Sequence, residues 1–238
     1  MKDMRLAIMQ PYLFPYIGYF QLIRAVDTFV ILDDVNYINR GWINRNRILV
    51  NNKDHIFTVP LEGASQNKLI NQTLIVKDFA WKGKFLKTIE MTYKKAPLFE
   101  KVLPLIESAI HDEERNVSTF ILHSLTIIMQ YLNIGTRIVE SSSLYNNAHL
   151  KAQDKILDIC LQEGASTYVN PIGGTELYDG HAFRKNNIDL FFIKSGQVEY
   201  RQFNDQFVPS LSVLDVLMFN SREDVSLLLD RYTLVEHG

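Results

Sequence analysis

Apolar residues fall into short unbroken runs, separated by stretches in which they recur every three or four positions. This is the pattern of buried strands alternating with amphipathic helices. Residues 6–9 (LAIM) end at Gln10-Pro11, and residues 29–32 (FVIL) end at Asp33-Asp34. Runs without alternation suit parallel strands covered on both faces. Between them Ile17, Phe20 and Ile23 lie three residues apart, which predicts a helix over 16–26. Pro15 sits just before it, where a fixed φ and a missing N–H cost nothing. Together these predict a βαβ unit with two neighbouring parallel strands.

Residues 46–61 read differently. NRILV and HIFTVPL flank Asn51-Asn52-Lys53-Asp54, predicting an antiparallel hairpin, and the alternating segment 70–76 predicts a further strand. Helices are predicted over 80–95, 98–111 and 117–132. In the last, Val117, Ile121, Leu125, Ile128 and Leu132 share a face, with Asn116 or Ser118 available as N-cap. A strand at 136–140, a helix at 150–163 closed by Gly164, strands near 166–170 and 189–194, and helices at 210–219 and 222–230 complete the pattern. The predicted fold is α/β, a three-layer domain over 1–238 with a central, mostly parallel sheet. Residues 46–115 bring a β-hairpin and helices as an insertion or subdomain.

Composition narrows the function classes. Among 238 residues, 25 Lys and Arg face 27 Asp and Glu, which argues against a nucleic-acid partner. The single cysteine, Cys160, excludes an intrachain disulfide and suits a reducing compartment. It shares an apolar stripe with Ile156 and Ile159, so it reads as a core residue and not as a nucleophile. No run approaches about 18 apolar residues, and Gln10, Pro11 and Pro15 interrupt the N-terminal one. Neither a transmembrane segment nor a signal peptide is expected, and the expected location is cytoplasmic. The six histidines lack metal-ligand spacing, and no Gly-x-Ser-x-Gly occurs, which argues against zinc enzymes and serine hydrolases.

Three loops carry the candidate chemistry. The first, residues 9–23 (MQPYLFPYIGYFQLI), joins a strand's carboxyl end to a helix start, where α/β folds place ligands. Gln10, Tyr16, Gly18 and Tyr19 are its candidate binding residues, Gly18 because it lets a ligand approach the backbone. The second, residues 33–48 (DDVNYINRGWINRNRI), is the densest. Asp33 and Asp34 are candidate general bases. Arg40 and Arg45 suit phosphate, Asn44 and Asn46 suit hydroxyls, and Trp42 suits stacking. Adjacent acids also fit Mg²⁺ beside a phosphate, but the pair is no metal motif by itself, and no metal ligand is assigned. The third, residues 168–183, offers Asn170, Gly173, Gly174 and Glu176 after another strand. The three loops are expected to line one pocket. Their loop positions predict that Arg40→Ala and Asp34→Asn leave stability within about 1 kcal/mol.

The first loop shares its layout with nucleotidylyltransferase and synthetase-like domains, but Tyr16-Ile17-Gly18-Tyr19 replaces their His-x-Gly-His, so that chemistry does not carry over. A longer set of motifs resembles the WbqC-like family: MQPYLFPYIGYFQLI, VILDDVNYINRGWINRNRIL, TVPL at 58–61, YVNPIGGTELYD, and YRQFNDQFVPSLSVLDVL at 200–217. The resemblance implies a bacterial context of O-antigen and other surface-polysaccharide biosynthesis, and a glycine-transferase-like activity. It brings no agreed catalytic residues. The expectation is a transferase that adds an acyl or aminoacyl group to an amino sugar, carried as a sugar phosphate or nucleotide-sugar. A non-catalytic scaffold of a glycan-assembly complex and an ATP-dependent ligase with a degenerate nucleotidylyltransferase-like domain stay as alternatives. Cofactors are unknown, and a homo-oligomer stays open.

Overall fold

The structure is a computed structural model that describes residues 3–204 and 206–237. Lys2 and Asp205 lie outside them. The first βαβ unit is β1 (Arg5–Met9), α1 (Ile17–Arg24) and β2 (Thr28–Ile31). Then come the hairpin β3 (Arg45–Val50) and β4 (Lys53–Thr58), and a small pair, β5 (Leu61–Glu62) and β6 (Leu74–Ile75). Helices α2 (Ala80–Tyr93), α3 (Phe99–His111) and α4 (Val117–Leu132) precede β7 (Arg137–Val139). The chain ends with α5 (Ala152–Glu163), β8 (Thr167–Pro171), α6 (Gly180–Lys185), β9 (Asp189–Ser195), α7 (Val213–Phe219), α8 (Arg222–Leu229) and β10 (Tyr232–Glu236).

Six strands form the central sheet in the order β10-β9-β8-β1-β2-β7, and all pairings are parallel except β10 with β9. The fold is therefore a mostly parallel three-layer α/β domain, and β1 and β2 are parallel neighbours as the βαβ pattern predicts. Alternate residues of each strand enter opposite cores. Ala7, Phe29, Ile31, Val169 and Ile193 pack with α1, α4, α7 and α8. Leu6, Ile8, Val30, Val139, Tyr168, Leu190 and Phe192 pack with α5 and α6. The buried side chains of the 46–115 segment, among them Ile48, Phe57, Phe85 and Tyr93, belong to the first of these cores.

Helix ends follow the local chemistry. The Asn116 side chain accepts from the backbone N–H groups of Ser118 and Thr119 and starts α4, and Gly164 closes α5 at φ 69°. Three elements differ from the sequence pattern. The 70–76 segment makes a 3-10 turn over Ile70–Gln72 before the two-residue β6. The six-residue α6 is too short to show a period. Strand β10 is exposed at most positions, so its apolar signal is weak and its ladder with β9 defines it.

The winding positions the site. The connections after β1 and β2 cross the face covered by α1 and α4, whereas those after β7 and β8 cross the face covered by α5 and α6. The winding of the connections thus reverses between the parallel neighbours β1 and β8, and a crevice opens outside the carboxyl ends of such strands.

Cys160 is fully buried against the second core, and burial pushes its thiol pKa up. Cys160→Ala should lower stability by about 1 kcal/mol, and the native thiol should resist a disulfide reagent until the chain unfolds. Melting curves and thiol titration check both.

Candidate functional site

Residues 10–16 leave the carboxyl end of β1, where backbone carbonyls lose their sheet partners. Remote groups replace those partners. Gln10 O accepts from Tyr19 Oη at 2.8 Å, and Leu13 O accepts from Asn46 Nδ2 at 3.1 Å. Phe14 O accepts from Asn46 Nδ2 at 3.0 Å and from Ser212 Oγ at 2.6 Å, and Pro15 O accepts from Val213 N at 2.8 Å. Phe14 itself has φ 40°, a left-handed conformation that costs a residue with a Cβ about 1–2 kcal/mol. Three distant segments, 10–16, 43–47 and 210–213, are thereby tied at one point.

Two adjoining clefts open around this tie. The larger, of 360 Å³, lies between Tyr16-Ile17 and the 195–211 segment, whose Ser195, Gln197, Glu199, Tyr200 and Ser210 supply its polar wall. The smaller, of 220 Å³, is lined by Tyr12, Pro15, Tyr16, Trp42, Asn46, Arg47 and Ser210. Tyr16 and Ser210 border both. The Tyr16 ring lies across Gly18, where a Cβ would stand 2.2 Å from Tyr16 Cε2 and 2.7 Å from Ser195 Oγ. Gly18 therefore serves the seating of Tyr16. Trp42 is 38 % exposed, with the Arg47 and Arg45 guanidinium carbons 5.3 and 5.8 Å from its ring centre. Burial raises the Tyr12 and Tyr16 hydroxyl pKa values, so both rings stay neutral.

The wall of the larger cleft hangs on Asp215, a fully buried carboxylate of α7. It accepts from Tyr93 Oη at 2.8 Å, Tyr200 Oη at 2.7 Å and Gln202 Nε2 at 2.8 Å. Burial raises its pKa, opposed by these three donors. Gln202 also exchanges hydrogen bonds with the Val208 backbone, which ties these two positions together.

Asp33 and Asp34 lie elsewhere. Asp33 is buried and accepts from Ser141 Oγ at 2.6 Å and Ser118 Oγ at 2.8 Å. Burial raises its pKa against those donors. The Asp34 side chain, 6 % exposed, pairs with Lys155 Nζ at 2.6 Å, and Lys155 is 4 % exposed. Lys155 also donates to Asn147 Oδ1 at 2.9 Å. The positive charge beside Asp34 is thus a lysine, and the two carboxylates join β2, α4, the 141–147 turn and α5. Asp34 is not the exposed loop acid on which the near-neutral Asp34→Asn expectation rested. Among the described residues, no group of three or more His, Cys, Asp and Glu is arranged to hold a metal.

The remaining candidates divide between these regions. Asn46 borders the smaller cleft while clamping the first loop. Asn44 is buried, accepting from Tyr37 Oη and donating to Val59 O. Arg45 wraps its own turn through the Gly41 and Arg40 carbonyls, and Arg40 is exposed at φ 60°. Asn170 donates to Tyr168 Oη at 2.8 Å, and Gly174 fits because a Cβ there would lie 2.3 Å from Asn170 Oδ1. Gly173 and Glu176 are exposed. Gln10 follows β1 and Asn170 lies near the end of β8, the two strands between which the winding reverses, but neither residue, nor Asp33 or Asp34, lines the two clefts.

The sequence profile of the WbqC-like protein family matches residues 10–227. The chain belongs to the WbqC-like protein family. It is 32% identical over 219 residues to the uncharacterized protein Rv1507c of Mycobacterium tuberculosis, across 91% of this chain and 93% of that one. No solved structure matches it. Both clefts and the Asp215 network fall inside the family span, and β10 falls outside it.

Sequence reasoning passed over several residues of this WbqC-like site. Ser195 ends β9 and Glu199 follows it in a stretch without regular period, while Tyr200 and Ser210 lie in the 200–217 motif, which carried the family resemblance and no site assignment. Two signals were readable. Asp215 is a lone acid in the apolar run VLDVLMF, and Lys155 lies one turn before Ile159 on an apolar stripe. A charge in such a place needs a buried partner.

The buried pair yields a test. Asp34→Leu should cost about 3–5 kcal/mol by stranding the Lys155 ammonium, whereas adding Lys155→Met should recover most of that loss. A double-mutant cycle in urea checks it; equal, additive costs would contradict the pairing.

Proposed function

We propose that this protein is a transferase that adds an acyl or aminoacyl group to a nucleotide-linked amino sugar during assembly of a bacterial surface polysaccharide. One observation carries the reading: the pair of clefts around Tyr16, at the carboxyl side of a doubly wound sheet. In the smaller cleft Trp42, Tyr12 and Tyr16 offer faces for a base or sugar ring, and Arg47 offers a guanidinium for phosphate. The larger cleft adds hydroxyl, amide and carboxylate groups suited to a sugar. Family membership supports the glycan context by resemblance.

In such a reaction the sugar amine attacks an activated acyl carbonyl. A C–N bond forms, the bond to the donor's leaving group breaks with its electron pair, and the proton lost by nitrogen passes to that leaving group. Asp33 and Asp34 act away from the clefts in this reading, holding the start of the 33–46 loop through Ser118, Ser141 and Lys155. That occupation of both carboxylates favours a second reading, a sugar-nucleotide-binding scaffold without turnover. The small-molecule partner is the same in both.

Incubation of the protein with UDP-glucosamine and a panel of acyl-coenzyme A and aminoacyl-adenylate donors, read by mass spectrometry, tests the reading. A donor-dependent acylated sugar nucleotide is expected. Trp42→Ala and Arg47→Gln should each lower kcat/KM about tenfold or more, a loss of about 1.4 kcal/mol in transition-state binding, with melting temperatures little changed. Binding without product would favour the scaffold, and absence of both would defeat the two readings.

A further inference from the structure

The two clefts differ in charge. Glu199 is the charged residue lining the larger one, and Arg47 is the charged residue lining the smaller one. Tyr16, 41 % exposed, stands between them. Arg47 is only loosely satisfied: its Nη1 lies 3.4 Å from Asp54, and its buried Nε has no partner. Glu199 accepts from Gln197 Nε2 at 3.2 Å, a neutral donor that leaves its charge in place. Glu199 also borders an adjoining hollow, which it lines together with Arg201 and Asn204. A carboxylate on one side of an aromatic partition and a guanidinium on the other match a ligand that carries both signs of charge.

We infer that the double cleft selects a bipolar ligand, with its phosphate against Arg47 in the smaller cleft and a free ammonium against Glu199 in the larger one. The inference rests on the nucleotide-linked amino-sugar reading and deepens it. It names the acceptor as the unacylated amine and assigns its recognition to Glu199. An N-acylated sugar has no such charge, so the same contact favours substrate over product. Stacking on Trp42 and Tyr16 tolerates any base, because every base presents a π-face, so a uridine nucleotide serves as probe.

Calorimetric titration with UDP, UDP-glucose and UDP-glucosamine near neutral pH tests the assignment. UDP-glucosamine should bind about tenfold more tightly than UDP-glucose, from which it differs by one amine, as a charge-assisted contact provides. Glu199→Gln should bring the two sugars within about twofold while UDP binds as before, which also reports that the variant is folded. Arg47→Gln should weaken all three by a similar factor and leave their ratio. Equal binding of the two sugars, or a ratio unmoved by Glu199→Gln, would overturn the inference while UDP binding leaves the transferase reading standing. Failure of all three probes to bind the unmodified protein would overturn both.

Discussion

A parallel strand buried on both faces delivers its chain to the sheet edge with carbonyl groups that no neighbouring strand can take. Those groups must be paired or exposed, since an unpaired buried carbonyl costs as much as a lost hydrogen bond. Here the demand falls on residues 10–15, and side chains from far along the chain meet it. Asn46 and Ser212 converge on the Phe14 carbonyl, and Val213 takes that of Pro15. The left-handed turn at Phe14 persists because these donors over-determine it. Once made, the tie brings Trp42 and Arg47 from one side and Ser210 from the other against Tyr16. The clefts are a consequence of backbone bookkeeping at a strand end.

Polar groups elsewhere in the molecule work in the same way. Asp215 gathers Tyr93, Tyr200 and Gln202, so a segment without regular structure is held as a wall. Asp34 and Lys155 join elements 121 residues apart. The Asp215 network backs the larger cleft and the Asp34–Lys155 pair lies away from both, whereas the cleft surfaces keep Glu199 and Ser210, polar groups with fewer partners. Satisfied acids that hold shape and less satisfied groups that face open space are the division expected of a scaffold that presents a binding site.

Much of the fold was legible because strands covered on both faces write uninterrupted apolar runs. LAIM, FVIL and the segments near 166–170 and 189–194 all became strands of one sheet. The period of α4 and its Asn116 cap were equally local. Strand order and the antiparallel β10 were not, since pairing partners lie far apart in sequence. The site was half legible. Tyr16, Trp42 and Asn46 border the candidate clefts, yet Gly18 matters for the Tyr16 ring and Asn46 for the Phe14 carbonyl, uses that composition does not reveal. Asp33 and Asp34 drew notice as a charge pair in a loop, but Ser118, Ser141 and Lys155 approach them from other elements.

The central claim is that ligand binds around Tyr16, over the Phe14 tie, and not at the Asp33–Asp34 cluster. Hydrogen–deuterium exchange of the intact protein with and without UDP-glucosamine tests it most directly. The account predicts protection concentrated in peptides covering 12–18, 42–47 and 195–211. Protection centred on 33–34, 141–155 and 170–176, with the Tyr16 segment unchanged, would contradict it.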